Sequence, residues 1–203
     1  SLYYANTANR DGAHANALSI TRQCIESMSV MEMGLCRHPE REVMLSKWWD
    51  GGAKPGHMRQ WLAEKVWPSY GSGLWTESWN EFMARLSGAV QPYAHYTGQL
   101  AQWQMALKLA PRDDTTAIVE FRPRAYDPQK ATRITLFHAI ITYALGRVSI
   151  ATATTADPEF DALVRRFGRA LGKSKYLDGH DTNWDQQFWS IVWLRGSGET
   201  ILE

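Results

Sequence analysis

Residues 13–36, AHANALSITRQCIESMSVMEMGLC, decide how the rest of the chain must fold. Wound as a helix at about 100° per residue, Ala17, Leu18, Ile20, Thr21, Cys24, Ile25, Met28, Met31 and Leu35 sweep one wide apolar arc. Gln23, Ser27 and Gly34 form the only clear polar edge. Arg22 and Glu26 flank the arc, and Glu32 falls within it. A helix with so little surface fit for water must be enclosed by others. The segment therefore predicts an all-α, single-domain helical bundle with this helix buried at its centre. It also draws three charges toward the interior, where each needs a partner. Arg22 and Glu26 stand one turn apart, a spacing that pairs them. The pair reads as an internal brace or as one wall of a polar cavity.

Outward from this helix the punctuation stays helical. Pro39, with Glu40 and Glu42 after it, starts a helix closed by Gly51 and Gly52. A helix over 55–66 is stopped by Pro68 and Gly71, and Thr76 is read as the N-cap of one over 77–90. Pro92 restarts the chain into a helix over 93–109. Residues 110–127 lose the helical period, so they read as a long loop holding one short β-prone run at 117–121. Asp127-Pro128 opens a helix to about residue 150, Asp157-Pro158 opens another to about 172, and a last one spans 184–194. The expectation is seven or eight helices over 13–195, with 1–12 a flexible lead-in and 196–203 a tail.

The composition is that of a globular protein: 44% apolar and 21% charged, with a net charge of +1. So small a charge gives no global field for nucleic acid, and RNA contact would need a local patch. The apolar runs look too short for a membrane span, and residues 1–12 lack the basic and apolar regions of a leader. Cys24 and Cys36 lie about 18 Å apart along one helix, too far for a bridge. Both are expected to be buried thiols in a reducing compartment, with the cytoplasm as default.

Three constellations could carry chemistry. Arg133 and His138 share the 128–150 helix at an Arg-x4-His spacing, Arg133 within its apolar face and His138 about 140° away. Such a pair can cleave RNA, the imidazole moving a proton and the guanidinium stabilising charge on phosphate. To do so the two must share a cleft open to solvent. Arg22 and Glu26 could join Tyr93 and His95 in a polar ligand site between helices. Finally, six of the ten tryptophans (Trp48, Trp49, Trp61, Trp67, Trp75 and Trp79) cluster at helix ends, filling junctions or lining a ligand or partner surface. The histidines show no metal-ligand spacing, and no phosphate-binding loop or nucleophile elbow is present. No metal or cofactor is expected.

The order of Arg22-x3-Glu26, then His38-Pro39-Glu40, a Trp-rich pair of short helices, and RLSGAVQPYAHYTG at 85–98 resembles uncharacterised bacterial all-helical families grouped with HEPN-like and abortive-infection proteins. The resemblance spans about residues 13–150. It implies a helical bundle, commonly dimeric, and in many members a metal-independent RNase of toxin–antitoxin or phage-defence systems. Their Arg-x4-6-His motif is matched by Arg133 and His138, although Ile134 stands where a polar residue is usual. RNA, a second copy and an antitoxin-like protein are the partners so implied. The residues taken by themselves support a second expectation, a non-catalytic module that binds a partner protein or small ligand through its Trp-rich region.

Overall fold

The computed structural model describes residues 1–91, 100, 103–110, 113–121 and 124–174. Among these are seven α-helices: α1 Leu2–Arg10, α2 His14–Leu35, α3 Arg41–Trp49, α4 Pro55–Lys65, α5 Trp79–Val90, α6 Pro128–Thr152 and α7 Pro158–Gly172. A 3-10 turn, Trp67–Tyr70, follows α4. The fold is all-α, and α2 is buried along most of its circumference. Gln23, Ser27 and Gly34 form an exposed edge, as their spacing requires.

Two segments depart from expectation. The supposed lead-in is α1, held because Ala5 and Asn9, one turn apart, are both buried. Two strands, β1 Met105–Ala110 and β2 Asp113–Phe121, pair antiparallel in a register running from Met105↔Phe121 to Leu109↔Ala117. Met105–Ala110 (MALKLA) favours helix locally, and pairing with the β-branched run of β2 overrides that preference. The end of the expected 93–109 helix is therefore strand. Most of that helix, with the helix over 184–194 and the tail 196–203, lies outside the described residues.

Helix starts show which polar side chains act as caps. Asp127 Oδ1 accepts from Lys130 N–H at 3.2 Å, and Asp157 Oδ1 from Phe160 N–H at 2.9 Å, as read from sequence. At α5 the cap is Ser78 instead of Thr76, its hydroxyl accepting from Glu81 N–H at 3.2 Å. Glu77 lies outside the helix, where its carboxylate accepts from the N–H groups of Leu74 and Trp75.

The chain divides into two compact units, and the division falls within two helices. The first comprises Ser1–Gln23 and Gly88–His138; the second comprises Cys24–Ser87 and the chain from Ala139 onward. In the first, α1 turns into α2 at Gly12, whose φ is +76°. A Cβ there would lie 2.7 Å from Tyr126 N, so the lead-in to α6 passes close over this turn. Ala125 N–H donates to the Gly12 carbonyl at 3.3 Å.

In the second unit, α6 and α7 interlock through glycines. A Cβ on Gly146 would stand 2.8 Å from Val164 Cγ2, and one on Gly168 would overlap the Tyr143 ring. With no Cβ, the two glycines allow this close approach of the helices. Met28, Met33, Met58, Leu62, Phe82, Met83, Leu86 and Ile140 are among its buried side chains. From Lys130 to Thr152, α6 is long and apolar enough to span a membrane by length and composition alone, contrary to the sequence reading. Here that apolar surface serves as core: Ile134, Phe137, Ile140, Ile141, Ala144 and Val148 are buried.

Candidate functional site

The expected catalytic pair lies inside the first unit. Arg133 and His138 are each only 7% exposed, and Arg133 is not without a partner. The tautomer of His138 follows from its neighbour. Thr21 has a single hydroxyl proton, donated to the Ala17 carbonyl at 2.7 Å. The contact between His138 Nε2 and Thr21 Oγ1, 3.0 Å, must then use the imidazole N–H as donor. Burial pulls the His138 pKa down to about 4, so the ring is neutral near pH 7. This is the geometry of a core histidine, and both side chains of the pair are nearly closed to solvent.

His14 is held in the same manner. Asp127 N–H donates to its Nε2 at 3.0 Å, which leaves Nδ1–H to donate to Asn9 Oδ1 at 2.9 Å. Asn9 Nδ2 in turn donates to the Ala131 carbonyl at 3.0 Å and to Thr135 Oγ1 at 3.4 Å. Burial lowers the His14 pKa, against an opposing pull from the Asp127 charge. Every group in this relay is used, and it ties α1, α2 and α6 together.

Arg22 and Glu26 are both half-buried on α2, and neither is without a partner. Tyr93 and His95, which would complete the proposed ligand site, lie outside the described residues.

The third charge of α2 has the most unusual surroundings. Glu32 is 0% exposed. Its Oε1 accepts from the Trp67 indole N–H at 3.0 Å, while its Oε2 has no hydrogen-bond partner. Burial raises the Glu32 pKa; the Trp67 hydrogen bond and, less strongly, Tyr70 oppose the rise. Tyr70 is pushed up too, first by burial and then by the Glu32 charge, yet its hydroxyl is also unpartnered. The Tyr70 hydroxyl and the Glu32 carboxyl are near neighbours that interact as donor and acceptor, at a geometry short of a full hydrogen bond. The Tyr70 ring stands 5.7 Å from that of Trp79, whose Nε1–H is unpartnered although the residue is 0% exposed. Asn80 follows on α5, its Nδ2 fixed to the Ala63 carbonyl at 2.9 Å and its Oδ1 unpartnered.

Arg147 braces the rim. Its guanidinium donates to the Tyr70 and Ser72 carbonyls at 2.7 and 3.0 Å and to the Tyr143 hydroxyl at 2.8 Å, and lies 5.0 Å over the Trp79 ring. This holds the segment after α4 against α6.

A buried polar atom without a partner costs about 1–3 kcal/mol, and native proteins contain few of them. Sequence reasoning did place Glu32 in the apolar arc and Trp67 and Trp79 in an aromatic cluster. It did not join them, because 35 residues separate Glu32 from Trp67. The tryptophans otherwise divide by position: Trp61 is buried, Trp48 and Trp75 are half-buried, and Trp49 is 82% exposed. The Trp75 indole N–H donates to the Gly172 carbonyl at the end of α7.

Among the described residues no cluster of three His, Cys, Asp or Glu side chains could hold a metal ion. No family model, curated protein or solved structure matches the chain.

Proposed function

We propose that this protein is a non-catalytic helical module that binds a small polar ligand through its Trp-rich region. The observation that carries this reading is the fully buried Glu32, with Oε2 unpartnered, set with Trp67, Tyr70 and Trp79. Polar groups converging among aromatic rings are the usual makings of a ligand pocket. A thermal-shift screen against small polar compounds tests it. A ligand of the native state raises the melting temperature by mass action. The expected result is a compound that stabilises wild type and not Trp79→Phe, which keeps an aromatic ring, though a smaller one, and loses the indole N–H. If every stabilising compound acts equally on both proteins, the site is elsewhere.

A partner protein is the second reading, favoured by α3. None of its residues is buried, and Trp49 and Val43 are largely exposed. Trp49→Ser would then abolish partner capture without changing stability. The nuclease reading, which rests on the HEPN-like resemblance, competes with both; the burial and neutral state of His138 give it less support. Cys24 and Cys36 are buried free thiols, which supports assignment to a reducing, cytoplasmic setting.

A further inference from the structure

Among the described residues, α7 leaves an apolar strip uncovered. Val164, Gly168 and Leu171 form its buried side, where Val164 meets Gly146 and Gly168 meets the Tyr143 ring. Beside that side, Phe160, Leu163 and Phe167 stand at i, i+3 and i+7, one continuous strip of a helix. They are 38%, 49% and 36% exposed, and Ala170 extends the strip with a further exposed position. Single exposed apolar side chains need no explanation, but three in register on one face mark a surface that another element covers. Charge is also uneven along α7. Glu159 and Asp161 lie at its start, where Asp161 pairs with Arg165. Arg166, Arg169 and Lys173 gather toward its end.

We propose that this strip is the docking site of residues 184–194 of the same chain, WDQQFWSIVWL, lying antiparallel to α7. The assignment is independent of the ligand reading for the Glu32 region. Wound as the helix its sequence predicts, the segment sets Trp184, Phe188, Ile191 and Val192 at i, i+4, i+7 and i+8, an apolar face suited to packing on another helix. Its length, about 16 Å at the usual rise, matches the strip from Phe160 to Ala170, about 15 Å. Nine residues, 175–183, join it to the last described residue after α7, enough chain to reverse direction. Setting Phe188 beside Phe167 then sets Val192 beside Leu163, because both helices advance equally per residue. Charge selects this direction. It lays Asp178, Asp181 and Asp185 along the basic end of α7 and carries Arg195 toward Glu159 and Asp161, whereas a parallel arrangement would bring Arg195 to the basic end. The short tether favours the chain's own segment over a second copy, since it holds that segment at high effective concentration.

Hydrogen–deuterium exchange on the full chain tests the docking, with the mass in solution followed by light scattering. Wild type is compared with the double variant Leu163→Glu, Phe167→Glu. Both positions are exposed, so the packing of Val164, Gly168 and Leu171 is kept. Amides of 184–194 are expected to be protected in wild type and to exchange about tenfold or more faster in the variant. Those of α2 and α6 should not change, and neither should the mass. Cysteine pairing gives a second measure should the glutamate variant fold poorly. Under mild oxidation, Leu163→Cys with Val192→Cys is expected to bridge within one chain, and Leu163→Cys with Gln186→Cys, which lies off the apolar face, is not. The native thiols, Cys24 and Cys36, are buried and take no part. Protection of 184–194 that is absent in wild type, or equal in both proteins, would overturn the docking. Bridges that form only between two chains, or a dimer that the glutamates dissociate, would assign the strip to a second copy and overturn it too.

Discussion

The two units treat buried polar groups in opposite ways. In the first, Asn9, His14, Asp127 and Ala131 form a closed relay, and Thr21 satisfies His138. In the second, Glu32, Tyr70, Trp79 and Asn80 hold the four buried side-chain atoms, among the described residues, that lack a partner. A closed network fixes a conformation and has no capacity left for a ligand. An open one carries an energetic penalty that a bound molecule can cancel. The contrast teaches that a histidine beside an arginine is a weaker pointer to function than a carboxyl oxygen with nothing to bond.

The largest expected effect breaks the closed network. Asn9→Leu leaves the His14 N–H unpaired and removes the Asn9 bonds to the Ala131 carbonyl and Thr135, and should cost about 4 kcal/mol of stability in urea denaturation. A loss below about 1 kcal/mol would mean that the relay is not a structural element.

The next effect uses pH, because the two regions have opposite slopes. His138 has its folded pKa near 4 against an ordinary 6.5. Its contribution is therefore fully present above 6.5 and is lost as pH falls toward 4, a total of about 3 kcal/mol. Glu32 is raised instead, so its contribution is present below its ordinary 4.5 and is lost as pH rises through the folded value. His138→Phe should flatten the acid side of the stability profile, and Glu32→Gln the side above it. Identical slopes in the two variants would erase the contrast.

Smaller still is the stability change in Glu32→Gln at pH 7. It should be a gain of about 1 kcal/mol, because a neutral amide keeps the Trp67 hydrogen bond without a charge that burial disfavours. A loss of several kcal/mol would show that Glu32 is paired in the folded protein. The smallest effect is catalytic: in an RNA-cleavage assay with EDTA, wild type and His138→Ala should behave alike. Cleavage by wild type that vanishes in His138→Ala would restore the nuclease reading.

Much of the fold can be read from the chain because its determinants are local. The Asp127 and Asp157 caps and the polar edge of α2 each follow from spacing and chemistry within one helix. The strand pair could not be read in the same way, since MALKLA becomes strand only by pairing with residues about ten positions away. Nor could α1, whose few buried residues have value only where Asn9 meets Ala131, 122 residues on. The candidate site divides along the same line. Position on the helix marked Glu32, Arg133 and His138 as unusual, but which of them were satisfied depended on Trp67 and Thr21, which are remote in sequence. The Tyr93 and His95 part of the expected site lies outside the described residues.

The central claim is that the Trp-rich region around Glu32 in the second unit binds a small polar ligand. A thermal-shift screen of small polar compounds on wild type and Trp79→Phe tests it most directly. The account predicts a compound that raises the melting temperature of wild type and not of the variant. Equal stabilisation of both proteins by every active compound, or stabilisation of neither by any, would contradict it.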